Sequence, residues 1–538
     1  MSRTSADLAV VGATVHTLDP ARPAATAIAV RGGTVLAVGD DAEIGSLCDA
    51  RTEIVDGTGV TVTPGLTDGH LHPVHGSLMT AGLDLSQCRD VDELRGTLAE
   101  SRRDLAAGDW IRGFGLDPNI LGGQRPHRRL VDDVLGEVPA LLVLADAHAA
   151  LASGAALRLA GVTGPVELPG NSEVVCDADG NPTGEILEDA AKRIIERAAP
   201  ETDPADTADL LADLFQRMHA TGLTGGHVMD LDDGSLAALR LLDERGLATP
   251  RLRLAPWCQP GIDGSGLREL IDLQGTSGRL WTVAGVKLFM DGTIDNGTAW
   301  LEHPDCHGES TKPYWLPPSE YAEAVGTLAR AGVATATHAI GDAAVTFALD
   351  CLARYERPCV GGARHRIEHL ETLPDELVQR MSASGVAASM QPSHLQYTKA
   401  DHTDNWSTRL GGERANRAWR CADLVRAGAT LVLGSDWPIA HFDPREVLGA
   451  ARLRRLPGRP DSDPVQSSQA LTAREALEAM TVAPAEVAGE QHVAGRISPG
   501  FRADLTGFGV DLLTAGPDEL AEAPVRLTVV DGAVVHRA

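Results

Sequence analysis

Apolar positions follow two rhythms along this chain. Near its ends they come in short runs bounded by turn residues: Leu8–Val11, Ala13–Thr17, Ala27–Arg31 and Thr34–Val38, with Gly32-Gly33 as a hairpin turn. Residues 525–537 repeat the pattern around Asp531-Gly532. This shared β character predicts one small β-sandwich built from both termini, residues 1–63 and 491–538, with a large α/β unit, residues 64–490, inserted between them. In that middle, strand-like runs fall at Val60–Asp68, Leu223–Met229, Arg251–Trp257, Val283–Met290, Val333–His338, Arg364–Leu370, Val386–Gln391 and Thr430–Ser435. Helix-like runs lie between most of them, at Asp206–Thr221, Ser319–Ala331, Asp342–Tyr355, Asp375–Ser384 and Asn416–Ala427. Eight strands, each followed by a helix, predict a (β/α)8 TIM barrel with its active site at the strands' C-terminal ends. Residues 84–200 break the alternation. They hold a helix (Val91–Ala107), Trp110–Leu116, the apolar run Val138–Ala145 and a Pro/Gly-rich stretch (Gly161–Gly184), and read as an insertion above the barrel mouth that carries substrate contacts.

Composition narrows the partners. A chain of 538 residues is too long for one simple core. A net charge of −28 argues against nucleic acid or an anionic membrane. Residues Met1–Asp7 show no basic stretch leading into an apolar one, and no uncharged apolar run reaches the ~18 residues of a membrane span. Eight scattered cysteines without a Cys-x-x-Cys pair read as reduced thiols, so a cytoplasmic protein is expected. The expected partner is a small-molecule substrate, and assembly as a homodimer is left open. Lysine occurs only at Lys192, Lys287, Lys312 and Lys399, so a lysine inside an apolar run needs a reason.

The candidate chemistry starts at Thr63-Pro64-Gly65-Leu66-Thr67-Asp68-Gly69-His70-Leu71-His72-Pro73. In an extended segment the imidazoles of His70 and His72 leave the same face, a chelating pair. Other ligand-type residues sit at further strand ends: Lys287, His338, His369 and Asp436. A barrel lysine beside divalent cations suffers repulsion and desolvation. Reaction with carbon dioxide would turn Lys287 into an anionic carbamate able to bridge two metals. The alternative is an ion pair with Asp291 or Asp342. The expected arrangement has His70, His72 and Asp436 on one metal and His338 and His369 on a second, with a shared hydroxide attacking a carbonyl. Asp436 would take the water's proton and pass it to the leaving nitrogen. Nitrogen and oxygen donors without cysteine suit Zn2+, as one ion or two, with manganese, iron and nickel open to the same donors.

With these residues the sequence resembles the metal-dependent amidohydrolase superfamily, and most closely its amidohydrolase-3 branch, which includes N-substituted formamide deformylases. The resemblance is carried by Pro64–His72, Trp110–Gly115, Pro182-Thr183-Gly184, Val286–Gly292, His338–Asp342, Arg366–His369, Gln391–His394, Gly434–Pro438 and Pro499–Leu505. It implies the barrel, the terminal β-sandwich, the metal site and hydrolysis of a carbon–nitrogen bond. Thr293-Ile294-Asp295-Asn296-Gly297 departs from the family's Ser-Leu-Gly-Ser-Arg-like stretch at the pocket mouth, where substrate is selected.

Further candidates each have a plainer reading. His394 contacts substrate or makes a structural hydrogen bond. Asp342 and Glu368 orient neighbouring imidazoles, unless Asp342 caps a helix. Trp300, Trp406, Trp419 and Trp437 line a pocket or pack the core. His75, His148, His227 and His441 read as structural, with His148 within reach of the site if the insertion covers it. Two rival functions stand beside the amide hydrolase. One is an aminohydrolase of a heterocycle, against which His338 lacks a glutamate two residues on; the other is a catalytically silent regulatory barrel.

Overall fold

The computed structural model describes residues 5–106, 108–247, 249–355 and 359–538. Met1–Thr4, and Ala107 at the end of the expected helix Val91–Ala107, lie outside the described residues; that helix is seen as Val91–Ser101.

The middle of the chain forms two all-parallel sheets. One runs in the order Trp281–Val283, Arg251–Leu254, Leu223–Val228, Leu66–Leu71, and the other Val286–Phe289, Thr335–Ala339, Arg366–His369, Ala387–Met390, Leu431–Leu433. Isolated parallel bridges, Leu71↔Trp437 and Trp257↔Lys287, link their edges. These strands are short and largely buried, as parallel strands covered by helices are.

The expected strand Val283–Met290 is corrected: the chain changes sheets inside it. Ala284 donates to Leu254 O at 2.9 Å, whereas Val286 donates to Ala334 O at 3.0 Å. Gly285 between them takes φ +107°, a turn closed to residues with a Cβ. The expected helix Asn416–Ala427 is also shorter, Cys421–Ala427, because Ala418 bridges Thr372 and Trp419 N–H donates to Glu371 O.

Both ends of the chain feed two further sheets. A four-stranded sheet has the order Thr34–Gly39, Ala27–Arg31, Leu8–Val11, Glu53–Asp56. A six-stranded one has the order Ala533–Arg537, Val525–Val530, Leu505–Phe508, Thr61–Pro64, Thr14–His16, Ala24–Ala25. Val10, Ile28, Val62, Leu505 and Leu527 meet in one apolar cluster between them. Thr61–Pro64 leads almost directly into Leu66–Leu71, so this sheet aims the strand that carries His70.

Residues 83–187 build a fifth, mixed sheet in the order Glu173–Cys176, Pro182–Leu187, Ala149–Ala152, Ala140–Leu144, Ile111–Leu116, Leu83–Asp84. The Pro/Gly-rich stretch therefore supplies one strand and the start of another, joined by a tight turn in which Asp177 N–H donates to Asn181 O. All eight cysteines are free, and no helix among the described residues is long and apolar enough to cross a membrane.

Candidate active site

Two close approaches set the first strand against Asp436. Asp68 Oδ1 accepts from the backbone of both His70 and Ser435 at 3.0 Å, and Ser435 Oγ donates to Asp68 Oδ2 at 2.5 Å. Gly69 and Gly434 lie at this seam. A Cβ on Gly69 would sit 2.2 Å from Val432 Cγ1, and one on Gly434 would sit 2.5 Å from His70 N. The seam brings His70 Nε2 to 3.3 Å and His72 Nε2 to 3.1 Å from Asp436 Oδ1, with 3.3 Å between the two imidazole nitrogens.

His70 is held from behind. Its Nδ1 lies 2.6 Å from Glu368 Oε2, and both side chains are wholly buried. Arg366 donates to Glu368 through Nε at 2.5 Å and Nη2 at 2.9 Å, and also to Gly69 O and Ser389 Oγ, each at 2.6 Å. Burial opposes ionisation of Glu368, but Arg366 and His70 outweigh it and hold the carboxyl well below the usual range. Burial, helped by Lys287, pulls His70 down to about 4, so its imidazole is neutral.

In a regular strand Glu368 and His369 would face opposite sides. Here His369 takes φ +74° and Leu370 φ +51°, which turns the His369 ring back toward His70. The two ring centroids are 4.9 Å apart, and His369 Nδ1 lies 3.8 Å from Asp436 Oδ2. Asp436 itself has φ +58°. Such strained conformations in non-glycine residues gather where a site must be pre-set. His338 packs 4.4 Å from His369, ring to ring, and its Nε2 lies 3.1 Å from Gly292 O. With the proton on Nε2, the Nδ1 lone pair of His338 is free.

Lys287 is buried, and no carboxylate oxygen lies within 4 Å of its amine among the described residues. The ion-pair alternative is thus absent. Asp291 accepts backbone N–H groups of Trp300, Ile340 and Gly341, and Asp342 accepts that of Glu302. Burial lowers the Lys287 amine to about 8, against the pull of Glu368 and Asp436. His394 stacks on His369 at 6.4 Å, with Nε2 3.8 Å from Asp436 Oδ2 and no hydrogen-bond partner.

The donor set fits a divalent metal. Ligand atoms of His70, His369 and Asp436 all lie within 4.8 Å of one another. Two imidazole nitrogens face Asp436 Oδ1, a buried oxygen that receives no hydrogen bond. Lone pairs converging this closely call for a cation between them. Burial opposes ionisation of Asp436, yet His70 and His72 hold its carboxyl far below the ordinary range, as a ligand requires. His72 joins this group through Nε2, His338 packs against its His369, and Lys287 acts on His70 through its charge.

The insertion reaches the site. His148 Nδ1 lies 2.8 Å from Glu188 Oε2, and the His148 ring lies 4.8 Å from that of His338. Glu188 has φ +64°, and its other oxygen is buried without a partner. Neither Glu188 nor Asp68 was singled out from the sequence; the only signal for Asp68 was its place in the motif before His70. Asp342 orients no imidazole, whereas Glu368 does. Trp406 and Trp419 line the cavity in front of the histidines, while Trp300 packs on Phe347 and Trp437 on Phe442. His75 pairs with Asp232, His227 with Arg366, and His441 stacks on Phe442.

Comparison with known proteins places the chain as a whole. Protein LONG AFTER FAR-RED 3 of Arabidopsis thaliana is 29% identical over 550 residues, covering 98% of this chain and 91% of its own length. N-substituted formamide deformylase of Arthrobacter pascens is 26% identical over 536 residues, covering 98% and 97%. Among solved structures, a metal-dependent hydrolase from Pyrococcus horikoshii OT3 superposes with a TM-score of 0.73 at 24% identity, covering 95% of this chain and 99% of that one, a likeness of fold. The amidohydrolase family model matches residues 53–536, a span that takes in every clustered side chain described above, and the chain belongs to that family.

Proposed function

We propose that this protein is a metal-dependent hydrolase that cleaves a carbon–nitrogen bond in a non-peptide amide or formamide. The observation that carries the reading is the convergence of His70 Nε2 and His72 Nε2 on the unpartnered Asp436 Oδ1 at 3.3 and 3.1 Å. We take the two bridged parallel sheets as one (β/α)8 barrel, with the sheets of the chain's ends as the attached β-sandwich.

His70, His72, His338, His369 and Asp436 would hold Zn2+, as one ion or two. A divalent ion there supplies a water of lowered pKa and polarises the substrate carbonyl. Asp436 accepts the proton of the attacking water on one oxygen and returns it to the leaving nitrogen, which otherwise departs as a poor anion. His394 presents Nε2 to the substrate oxygen as negative charge grows on it. Glu368 keeps the Nδ1 proton of His70 in place, leaving Nε2 as a lone pair. Lys287 in its neutral form attacks carbon dioxide through Nζ. The new N–C bond gives a carbamate, one proton leaves to solvent, and the resulting anion balances the cationic charge of the site.

The net charge of −28 supports a small-molecule substrate over nucleic acid or a membrane surface, and the free cysteines support a cytoplasmic setting. The test is a metal-loaded activity screen across N-formyl amines, N-acyl amino acids, cyclic imides and carbamates. Release of ammonia from a heterocycle instead would favour the deaminase. Less than one metal equivalent in protein purified without chelator would favour a silent barrel.

A further inference from the structure

The cavity in front of the histidines has a second wall, which the proposed chemistry does not use. Asp146, Asp295 and Glu371 line it, together with Trp406 and Trp419. Each carboxylate is steadied by a neutral donor only. Thr293 Oγ donates to Asp146 at 2.8 Å, Asn405 Nδ2 to Asp295 at 2.9 Å, and Trp406 Nε1 to Glu371 at 2.7 Å. No arginine or lysine among the described residues lies within 4 Å of any of the three; nearby Arg409 is committed to Asp305 and Glu309, at 2.8 and 2.9 Å.

Burial and the neighbouring acids oppose ionisation of Asp295 and Glu371, and a cation entering between these side chains offsets that cost. A metal ion would need their oxygens to converge. Among the described residues the group of ligand atoms that does so is His70, His369 and Asp436. The wider spacing of the acidic wall suits an organic cation with several N–H donors. A second observation points to an occupant. Trp419 is buried and lines this cavity, yet its Nε1–H has no acceptor. The rings of Trp406 and Trp419, tilted against each other with centroids 5.1 Å apart, add an aromatic surface that favours cations.

We propose that this wall is a recognition subsite for a protonated amine on the substrate, its ammonium held among Asp146, Asp295 and Glu371 and a neutral oxygen beside it taken by the Trp419 ring N–H. The inference rests on the hydrolase reading and narrows its substrates to N-acyl amines whose far end carries a positive charge.

Calorimetry on the metal-loaded protein at pH 7 tests it with 5-aminopentan-1-ol and its neutral counterpart pentane-1,5-diol. The amino alcohol should bind at least about tenfold more tightly, and Asp295→Asn and Glu371→Gln should each shrink that preference to about threefold or less. Equal binding of the two probes, or a preference that survives both substitutions in folded protein, overturns the subsite. Hydrolysis of N-(5-aminopentyl)formamide, set against that of N-(5-hydroxypentyl)formamide, separates this inference from the reading beneath it. Equal kcat/KM for both discards the subsite and keeps carbon–nitrogen hydrolysis. A charge-dependent preference in binding, with neither compound hydrolysed, keeps the subsite and discards the formamide chemistry.

Discussion

Glu368 and His70 form a buried pair, Oε2 to Nδ1 at 2.6 Å, within a network that Arg366 closes. The carboxylate fixes the His70 proton on Nδ1 and turns Nε2 toward Asp436. Glu368→Gln should lower metal affinity about 10–100-fold, the usual cost of losing a carboxylate behind a ligating histidine. It also removes the negative charge opposite the buried Arg366 guanidinium, at about 3–5 kcal/mol. Metal titration and thermal melts on the variant would show both losses together; unchanged metal affinity would remove Glu368 from its positioning role.

Asp436→Asn exchanges one oxygen for an amide and removes the proton acceptor. Turnover should fall by at least about a hundredfold, the lower range for a lost general base, while far-UV circular dichroism stays near that of the wild type. Retained activity would mean another group moves the proton.

As the proposed carbamate, Lys287 would tie metal loading to pH and carbon dioxide. With the amine lowered to about 8, about one side chain in a hundred is neutral at pH 6 and about half at pH 8. Only the neutral amine forms a carbamate, so metal uptake by stripped protein should rise with pH over this window and depend on added bicarbonate. Lys287→Ala should lose metal and recover part of it with acetate or propionate. Equal uptake in carbonate-free buffer, or full occupancy in the alanine variant, would count against the carbamate.

His365 should set part of the acid limit. Its Nδ1 accepts the Thr335 N–H at 3.1 Å, a bond that a protonated ring cannot make, and burial lowers its pKa to about 4. Between about 6.5 and 4 the unfolded chain holds a proton here that the folded chain refuses, so stability falls as pH drops through that interval. His365→Asn keeps an acceptor without the titration. Urea melts at pH 7 and pH 5 should show a smaller drop for the variant; an identical drop would exonerate His365.

Much of this was legible in the order of residues. The i, i+2 spacing of His70 and His72 works because they flank the end of a strand, where period-two alternation holds. Lys287 stood out because lysine is scarce and its neighbours are apolar. What escaped depended on breaking those periods. Glu368 and His369 share one side only because His369 adopts a left-handed backbone, and Val283–Met290 switches sheets at Gly285. Asp146 joins the cavity from the turn between Ala140–Leu144 and Ala149–Ala152, and Glu188 meets His148 just past Pro182–Leu187; no local pattern discloses how these strands pair. Asp342 and Asp291 look alike in sequence, and backbone N–H groups alone decide what each does.

The strand Thr61–Pro64 is zipped antiparallel to Leu505–Phe508, and one residue beyond it the backbone enters the strand that presents His70. A nascent polypeptide emerging from the ribosome therefore holds its first histidines long before the segment that braces them has been made. Assembly of the centre would wait until synthesis has passed Phe508, so a metal ion would be captured only after every clustered side chain has been made.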